Sequence, residues 1–348
     1  MTKKIRTLVV DDSPLARELI MDILSTDKDI EVVGEAANGL EATQKVKDLK
    51  PDIVTIDLEM PVMNGVEAIE EIMASNAVPI LVVTTSGDAK AAYDAISHGA
   101  LDLVVKPDIS RERAREFISK IKLLAGIKVI THIRSRAVRH VKPAPKLSFG
   151  GGEIDRIVAV ASSTGGPAAL SIILSSLPAG FPCPVVIAQH ISEGFVAGMA
   201  EWLRTLSKLS VRSPAEGEPL LPGRVYIAPS ENHMEVTDAK TIKLAPRQEK
   251  DIYHPSCDRL LFSVARVFGS RSIGVILTGM GSDGARGMEK IKKAGGTTIA
   301  QDEKTSIVFG MPKIAIESGC IDRVLPIGEI SGEIVRIING DTAALNKR

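Results

Sequence analysis

The sequence predicts an α/β protein of two parallel-sheet domains joined by a linker. Three observations predict it. Short apolar runs alternate with amphipathic, helix-length stretches through residues 5–125. That alternation stops over residues 127–152, where Pro143, Pro145, Gly150, Gly151 and Gly152 sit among scattered basic residues. It resumes at Arg156. The divisions are therefore 1–125, 126–155 and 156–348, and 348 residues suffice for two separate cores.

In the first domain, strands are expected at 5–10, 30–34, 53–56, 80–83 and 101–105, apolar runs of strand length. Helices are expected near 14–25, 39–49, 65–75, 89–97 and 111–125. Five βα units of this length make one parallel sheet covered on both faces. Right-handed crossovers make it doubly wound and flavodoxin-like. In the last domain the strand-like runs are 156–161, 184–189 and 272–278. Residues 211–245 are less regular, with turn signals at Pro219, Pro222-Gly223 and Pro229 and β-type runs at 225–228 and 241–244. A hairpin-like excursion from an α/β domain is expected there.

The 44% apolar and 25% charged composition is ordinary for a soluble protein. No apolar stretch approaches the roughly 20 residues of a membrane span. The run 5–10 is too short for a signal-peptide core and stops at two aspartates. A cytoplasmic location without membrane insertion is the expectation. Three cysteines, Cys183, Cys257 and Cys320, are odd in number and far apart, which argues against a disulfide framework or a zinc motif. The net charge is zero but uneven. Residues 1–125 hold 15 Lys/Arg against 22 Asp/Glu, residues 126–155 hold 6 against 2, and the rest 22 against 19. The halves could attract one another, or the basic linker could simply be solvated. Nothing in this balance points to nucleic acid.

Functional groups of open α/β sheets collect at the carboxyl ends of the strands. Asp11 and Asp12 follow the first expected strand, Asp57 the third, Thr84 the fourth and Lys106 the fifth. Three carboxylates gathered there repel, and a hard divalent cation such as Mg²⁺ relieves the repulsion. Such a cation would neutralise an incoming phosphoryl group and leave Asp57 as its nucleophile. Lys106 would pair with the phosphoryl oxygens and Thr84 would hydrogen-bond one of them. The competing reading is that each Asp merely caps the next helix.

The second domain places Ser163, His190 and Asp283 at strand ends in the same way. Ser163 lies in a strand–turn–helix segment with Gly165 and Gly166, where a helix N-terminus favours a developing oxyanion. Ser163 would attack, His190 would accept its proton, and Asp283 would orient the imidazole. The chain order Ser, His, Asp differs from the common hydrolase orders. Taken singly, the glycine turn could bind phosphate, His190 could be a satisfied polar group, and Asp283 could cap the helix after Gly284. Ser162 is a rival nucleophile and His254 a rival base, while Cys257 reads as packed within a helix.

Residues 5–125 resemble the receiver domain of bacterial response regulators. The match lies in Val9-Val10-Asp11-Asp12, Ile56-Asp57-Leu58-Glu59-Met60-Pro61, Asn64-Gly65, Val83-Thr84 and Lys106-Pro107. That resemblance implies Asp57 as phospho-acceptor and Asp11 and Asp12 as Mg²⁺ ligands. The aromatic residue that receivers often carry three positions before the lysine is Leu103 here. The second domain resembles the catalytic domain of the CheB family of chemotaxis protein-glutamate methylesterases. Its matching segments are Ala161-Ser162-Ser163-Thr164-Gly165-Gly166-Pro167, Gln189-His190 with Gly194-Phe195, Tyr226-Ile227-Ala228-Pro229 with Asn232-His233, Pro255-Ser256 with Asp258, and Leu277-Thr278-Gly279-Met280-Gly281-Ser282-Asp283-Gly284. The resemblance implies the Ser163–His190–Asp283 triad, without a cofactor, and backbone N–H donation near Thr164 or Met280 to the oxyanion. It also implies glutamine deamidation, methyl-accepting chemotaxis receptors as substrate and a chemotaxis histidine kinase as phosphodonor. The acidic first domain joined to a basic linker and catalytic half suggests, in addition, a receiver that inhibits until Asp57 is phosphorylated. Two rivals stand beside this reading, and a third alternative keeps the chemistry but acts on a methylated protein other than a chemoreceptor. One is a non-enzymatic phospho-switch that binds a nucleotide or phosphorylated ligand through Gly165-Gly166 and the segment 279–284. The other is a DNA-binding regulator, for which no helix-turn-helix stands out.

Overall fold

The computed structural model describes residues 3–85, 89–107, 110–129, 155–248 and 250–340. Most of the expected linker lies outside these residues. The chain divides into two compact units, Met1–Ala137 and Val138–Arg348.

The first unit contains β1 (Ile5–Val10), α1 (Pro14–Ser25), β2 (Ile30–Ala36), α2 (Gly39–Leu49) and β3 (Ile53–Ile56). They are followed by α3 (Gly65–Ser75), β4 (Ile80–Thr84), α4 (Ala89–Ser97), β5 (Asp102–Val105) and α5 (Arg111–Leu124). The strands form one parallel sheet in the order β2-β1-β3-β4-β5, the doubly wound order expected. β3 and β4 are buried along their whole length, as a sheet covered on both faces requires. The helices start where the sequence signals them. The Ser13 hydroxyl accepts from Ala16 N–H with Pro14 opening the helix, and Asn64 and Glu67 form a capping box at α3. β2 runs two residues past its expected end, after a register shift opposite Thr7 and Leu8. The loop after β3 holds Val62 at φ +70°, closed by a Met63 N–H bond to Pro61 O of 2.8 Å.

The second unit begins with β6 (Ile157–Ser162), α6 (Gly166–Ser176), β7 (Val185–Gln189), α7 (Val196–Leu206), β8 (Ser210–Arg212) and β9 (Arg224–Ile227). Then come β10 (Asn232–Val236), β11 (Ile242–Pro246), α8 (Cys257–Phe268), β12 (Ser272–Ile276) and α9 (Ala285–Lys293). It closes with β13 (Thr297–Gln301), α10 (Met311–Glu317), β14 (Arg323–Leu325) and α11 (Ile327–Ile338). Seven strands form a parallel sheet in the order β14-β13-β12-β6-β7-β9-β8. The chain leaves β6 toward β7 and later returns on its other side at β12. That reversal is a topological switch point, where α/β sheets open a crevice. The hairpin is β10 with β11, antiparallel from Asn232 opposite Pro246 to Val236 opposite Ile242. The run expected at 225–228 is instead β9 of the main sheet. Val225, Tyr226 and Ile227 are fully buried, which suits a covered parallel strand better than a half-solvated hairpin. Among the described residues no helix is long and apolar enough to cross a membrane.

Candidate functional site

In the first unit the five expected residues meet at one rim. Asp11 follows β1, Asp57 follows β3, Thr84 ends β4 and Lys106 follows β5. Lys106 Nζ lies 2.8 Å from Asp11 Oδ2 and 2.7 Å from Asp57 Oδ2. Lys106 N–H donates to Thr84 O at 2.9 Å, so those two strand ends are neighbours. Burial holds the Asp11 carboxyl above its usual range, although Lys106 and the Ser13 N–H pull it down. Burial alone would lower the Lys106 ammonium, but Asp11 and Asp57 outweigh it and hold it up. Capping does not account for the aspartates, because α1 is capped by Ser13 and α3 by Asn64. A carboxylate oxygen each from Asp11, Asp12 and Asp57 lies within 4.8 Å of the others. An all-oxygen, anionic set of this kind fits a hard cation such as Mg²⁺. Leu103 is buried within β5.

In the second unit the switch point positions the other set. β6 and β7 pair in register from Val158 opposite Val185 to Ser162 opposite Gln189, so Ser163 and His190 leave neighbouring strands side by side. His190 N–H donates to Ser162 O at 3.0 Å. On the other flank, Ser163 N–H donates to Thr278 O at 3.0 Å and the Thr278 hydroxyl donates to Thr164 O at 2.9 Å. Gly279 allows this approach, since a Cβ there would lie 2.6 Å from Ser163 Cβ.

Asp283 sits between two helix starts. Its Oδ2 lies 2.9 Å from His190 Nε2 and accepts Cys257 N–H at 2.6 Å. Its Oδ1 accepts Asp258 N–H at 2.9 Å and the Ser256 hydroxyl at 3.2 Å. Asp283 therefore serves the N-terminus of α8, not that of the helix after Gly284. Asp258 returns the arrangement, accepting Gly284 N–H at 3.0 Å and Gly287 N–H at 2.8 Å at the start of α9. Burial alone would raise the Asp283 carboxyl. The His190 hydrogen bond and charge and the two helix N–H groups outweigh it and hold it below the usual range.

The rivals separate cleanly. Ser162 is fully buried and its hydroxyl donates to Gln189 Oε1 at 2.6 Å. Ser163 is half-buried beside it. Burial, followed by the Arg247 charge, holds the His254 ring below its usual pKa. No hydrogen bond joins His254 to Ser163 among the described residues. Cys257 opens α8, fully buried, with its thiol pushed well above its ordinary value by burial and then Asp283. Its Sγ lies 3.5 Å from His190 Nε2. His190, Cys257 and Asp283 could together offer three ligand atoms to a metal, but each is already engaged in hydrogen bonding.

The His190–Asp283 hydrogen bond is formed, whereas none joins Ser163 to His190 among the described residues. Nε2 faces Asp283, and Nδ1 enters no hydrogen bond among the described residues. The N–H groups of Thr164 and Met280 enter no hydrogen bond among the described residues. Met280 is 48% exposed. Sequence reasoning gave no role to three polar residues. Gln189 Nε2 donates to both Ser163 O and His190 O at 2.8 Å, tying the two strand ends together. Tyr253 stacks on the His190 ring with centroids 5.1 Å apart and planes 11° apart. Ser256 links the start of α8 to Asp283. Gln189 and Ser256 stood in matching segments, as Gln189-His190 and Pro255-Ser256, and Tyr253 stood beside the rival base in Tyr253-His254-Pro255-Ser256.

Residues 158–334 match the CheB methylesterase family model, and residues 7–118 match the response regulator receiver domain. A protein-glutamate methylesterase/protein-glutamine glutaminase of Paramagnetospirillum magneticum is 49% identical over 98% of this chain and 98% of its own. The like-named protein of Pyrococcus abyssi is 40% identical over 97% of this chain and 94% of its own. The crystal structure of the Thermotoga maritima CheB methylesterase catalytic domain is 41% identical and covers 52% of this chain and 98% of that one, with a TM-score of 0.51.

Proposed function

Because this chain belongs to the CheB methylesterase family and carries a receiver domain ahead of the esterase domain, we propose that it hydrolyses glutamate γ-methyl esters under phosphorylation control. The observation that carries the reading is the His190–Asp283 pair, set at the switch point beside Ser163. Ser163 Oγ attacks the ester carbonyl while His190 Nδ1 takes its proton. The tetrahedral oxyanion is met by the N–H groups of Thr164 and Met280. Collapse breaks the C–O bond, and the imidazolium returns its proton to the leaving methanol. A water, activated by the same nitrogen, then hydrolyses the acyl-enzyme to the free glutamate. Asp283 holds the ring and stabilises its positive charge without taking the proton. A glutamine amide passes through the same acyl-enzyme and releases ammonia, which accounts for deamidation.

Asp57 is the phospho-acceptor. Its carboxylate attacks the phosphoryl group of a chemotaxis histidine kinase or a small acyl phosphate. When bound, Mg²⁺ held by Asp11, Asp12 and Asp57 neutralises the phosphoryl charge. Lys106 and Thr84 receive the phosphoryl oxygens. The unphosphorylated receiver restrains the esterase, and phosphorylation shifts the population toward the active form. The substrates are methyl-accepting chemotaxis receptors, reached from the cytoplasm.

The test is methanol release from radiolabelled, methylated receptor membranes before and after acetyl phosphate with Mg²⁺. Release that rises with phosphodonor and disappears in Ser163→Ala supports triad and switch together. Release that persists in Ser163→Ala overturns the triad. Unchanged basal activity after deletion of residues 1–150 overturns the restraint.

A further inference from the structure

A second histidine–aspartate pair lies behind the first. His233, on β10, is only 1% exposed. Its Nε2 lies 2.7 Å from Asp251 Oδ2, and its Nδ1 accepts the Ser256 N–H at 3.0 Å. A backbone N–H can only donate, so Nδ1 carries no proton. The ring is therefore the neutral Nε2–H tautomer, and Nε2 donates to Asp251. Asp251 also accepts Gln248 N–H at 2.8 Å. These two hydrogen bonds hold its carboxyl at about 2.

The two partners of His233 are the two ends of one segment, 251–256. The middle of that segment supplies Tyr253, stacked on the His190 ring. Its end supplies the Ser256 hydroxyl, which donates to Asp283 and accepts the N–H of Arg259. One buried imidazole thus fastens both ends of the segment that covers His190 and bonds Asp283. We propose that His233 is a positioning residue for the His190–Asp283 pair, acting through Asp251 and Ser256. This rests on the hydrolytic reading of Ser163, His190 and Asp283. A ring aimed loosely at its substrate loses rate steeply, while binding of the ester is untouched.

The two bonds of His233 can be separated. In His233→Gln the amide nitrogen stands near Nε2 and can reach Asp251, but nothing accepts the Ser256 N–H. In His233→Asn the side-chain oxygen stands near Nδ1 and keeps that acceptor. With the full chain and a methylated receptor substrate, His233→Gln is expected to lower kcat about tenfold or more, with KM within about twofold. His233→Asn is expected to retain several times more activity. The imidazole proton of the His190–Asp283 hydrogen bond, followed by NMR, is expected to move in His233→Gln and to stay closer to its wild-type position in His233→Asn.

A kcat for His233→Gln within about twofold of wild type overturns the proposal, as does an unmoved His190 proton in a variant that is merely less stable. Should the Gln variant not fold, the wild-type protein still decides. Nitrogen-15 shifts must place the His233 proton on Nε2, and a proton on Nδ1 overturns the argument. Ser256→Ala must also shift the His190 proton. A Ser163→Ala control that keeps turning over the ester removes the hydrolytic reading instead, and the NMR readouts then judge His233 without any turnover.

Discussion

Asp283→Asn is the sharpest probe of the crevice, because the carboxylate accepts four hydrogen bonds with two oxygens. An amide offers one oxygen. Whichever way it turns, its NH₂ points at a backbone N–H that cannot rotate, that of Cys257 or of Asp258. One such buried, unsatisfied donor costs about 1–3 kcal/mol. Removing the negative charge from the start of α8 costs about a further 0.3–1 kcal/mol. The sum is roughly 1.5–4 kcal/mol, a fall in Tm of about 3–16 °C for a domain of this size. Turnover suffers in either orientation. With the NH₂ toward His190 the ring takes the other tautomer, and a protonated Nδ1 cannot act as the base. With the oxygen toward His190 the imidazolium loses its counter-charge. A loss of about 10³–10⁴ in kcat is expected, with little change in KM. The pH dependence has a definite sign. The folded carboxyl is held below its usual range, so its contribution is present above about pH 4, the unfolded value, and is lost as pH falls through the folded value. The gap in stability between wild type and variant should therefore narrow on acidification. Urea unfolding at several pH values and methanol release at neutral pH supply the measurements. A variant that melts within about 1 °C of wild type and keeps kcat within about tenfold would refute the argument.

Three other substitutions test separate links. A Cβ at Gly166 would lie 1.9 Å from Gln189 Oε1, so Gly166→Ala should displace the amide that ties Ser163 to His190. It should destabilise the second unit by about 2–4 kcal/mol in urea unfolding, and a silent substitution would count against the clamp. Val62 is 82% exposed at φ +70°, so Val62→Gly gives up almost no packing and removes left-handed strain. A gain of about 0.5–1 kcal/mol is expected in the melt of the first unit, and a lower Tm would contradict it. Lys106→Met removes the cation that Asp11 and Asp57 share. Calorimetry should then show Mg²⁺ binding tighter by roughly tenfold, and weaker binding would disprove the competition.

The strand ends were legible because burial on both faces forces nearly continuous apolar runs, and chemistry then follows the last apolar residue. Asp11, Asp57, Thr84, Lys106, Ser163 and His190 were all reached that way. The helix N–H partners of Asp283 were not. Cys257 and Asp258 lie some 25 residues away, and only the docking of α8 against α9 brings their N–H groups to the carboxylate. The register of β10 was equally hidden. Asn-His-Met-Glu-Val buries both His233 and Met234, so it shows no simple alternation. Val225–Ala228 was misread as hairpin because turn residues surround it, while its burial assigns it to the main sheet. Gln189 carries no sequence signal for its role, since a side-chain amide binding two carbonyls depends wholly on which strands are neighbours.

Asp258 and Asp283 each complete the other's helix, and this bears on how the protein is made. α8 leaves the ribosome first, with its N–H groups at Cys257 and Asp258 still open. Their acceptor is translated only after β12. Until then the carboxylate that bonds His190 Nε2 does not exist in the nascent chain, and under the proposed mechanism a polypeptide cut short before Asp283 cannot hydrolyse an ester. Competence should arrive in one late step of synthesis, and the amides at the two helix starts should lose their protection together when the native protein opens.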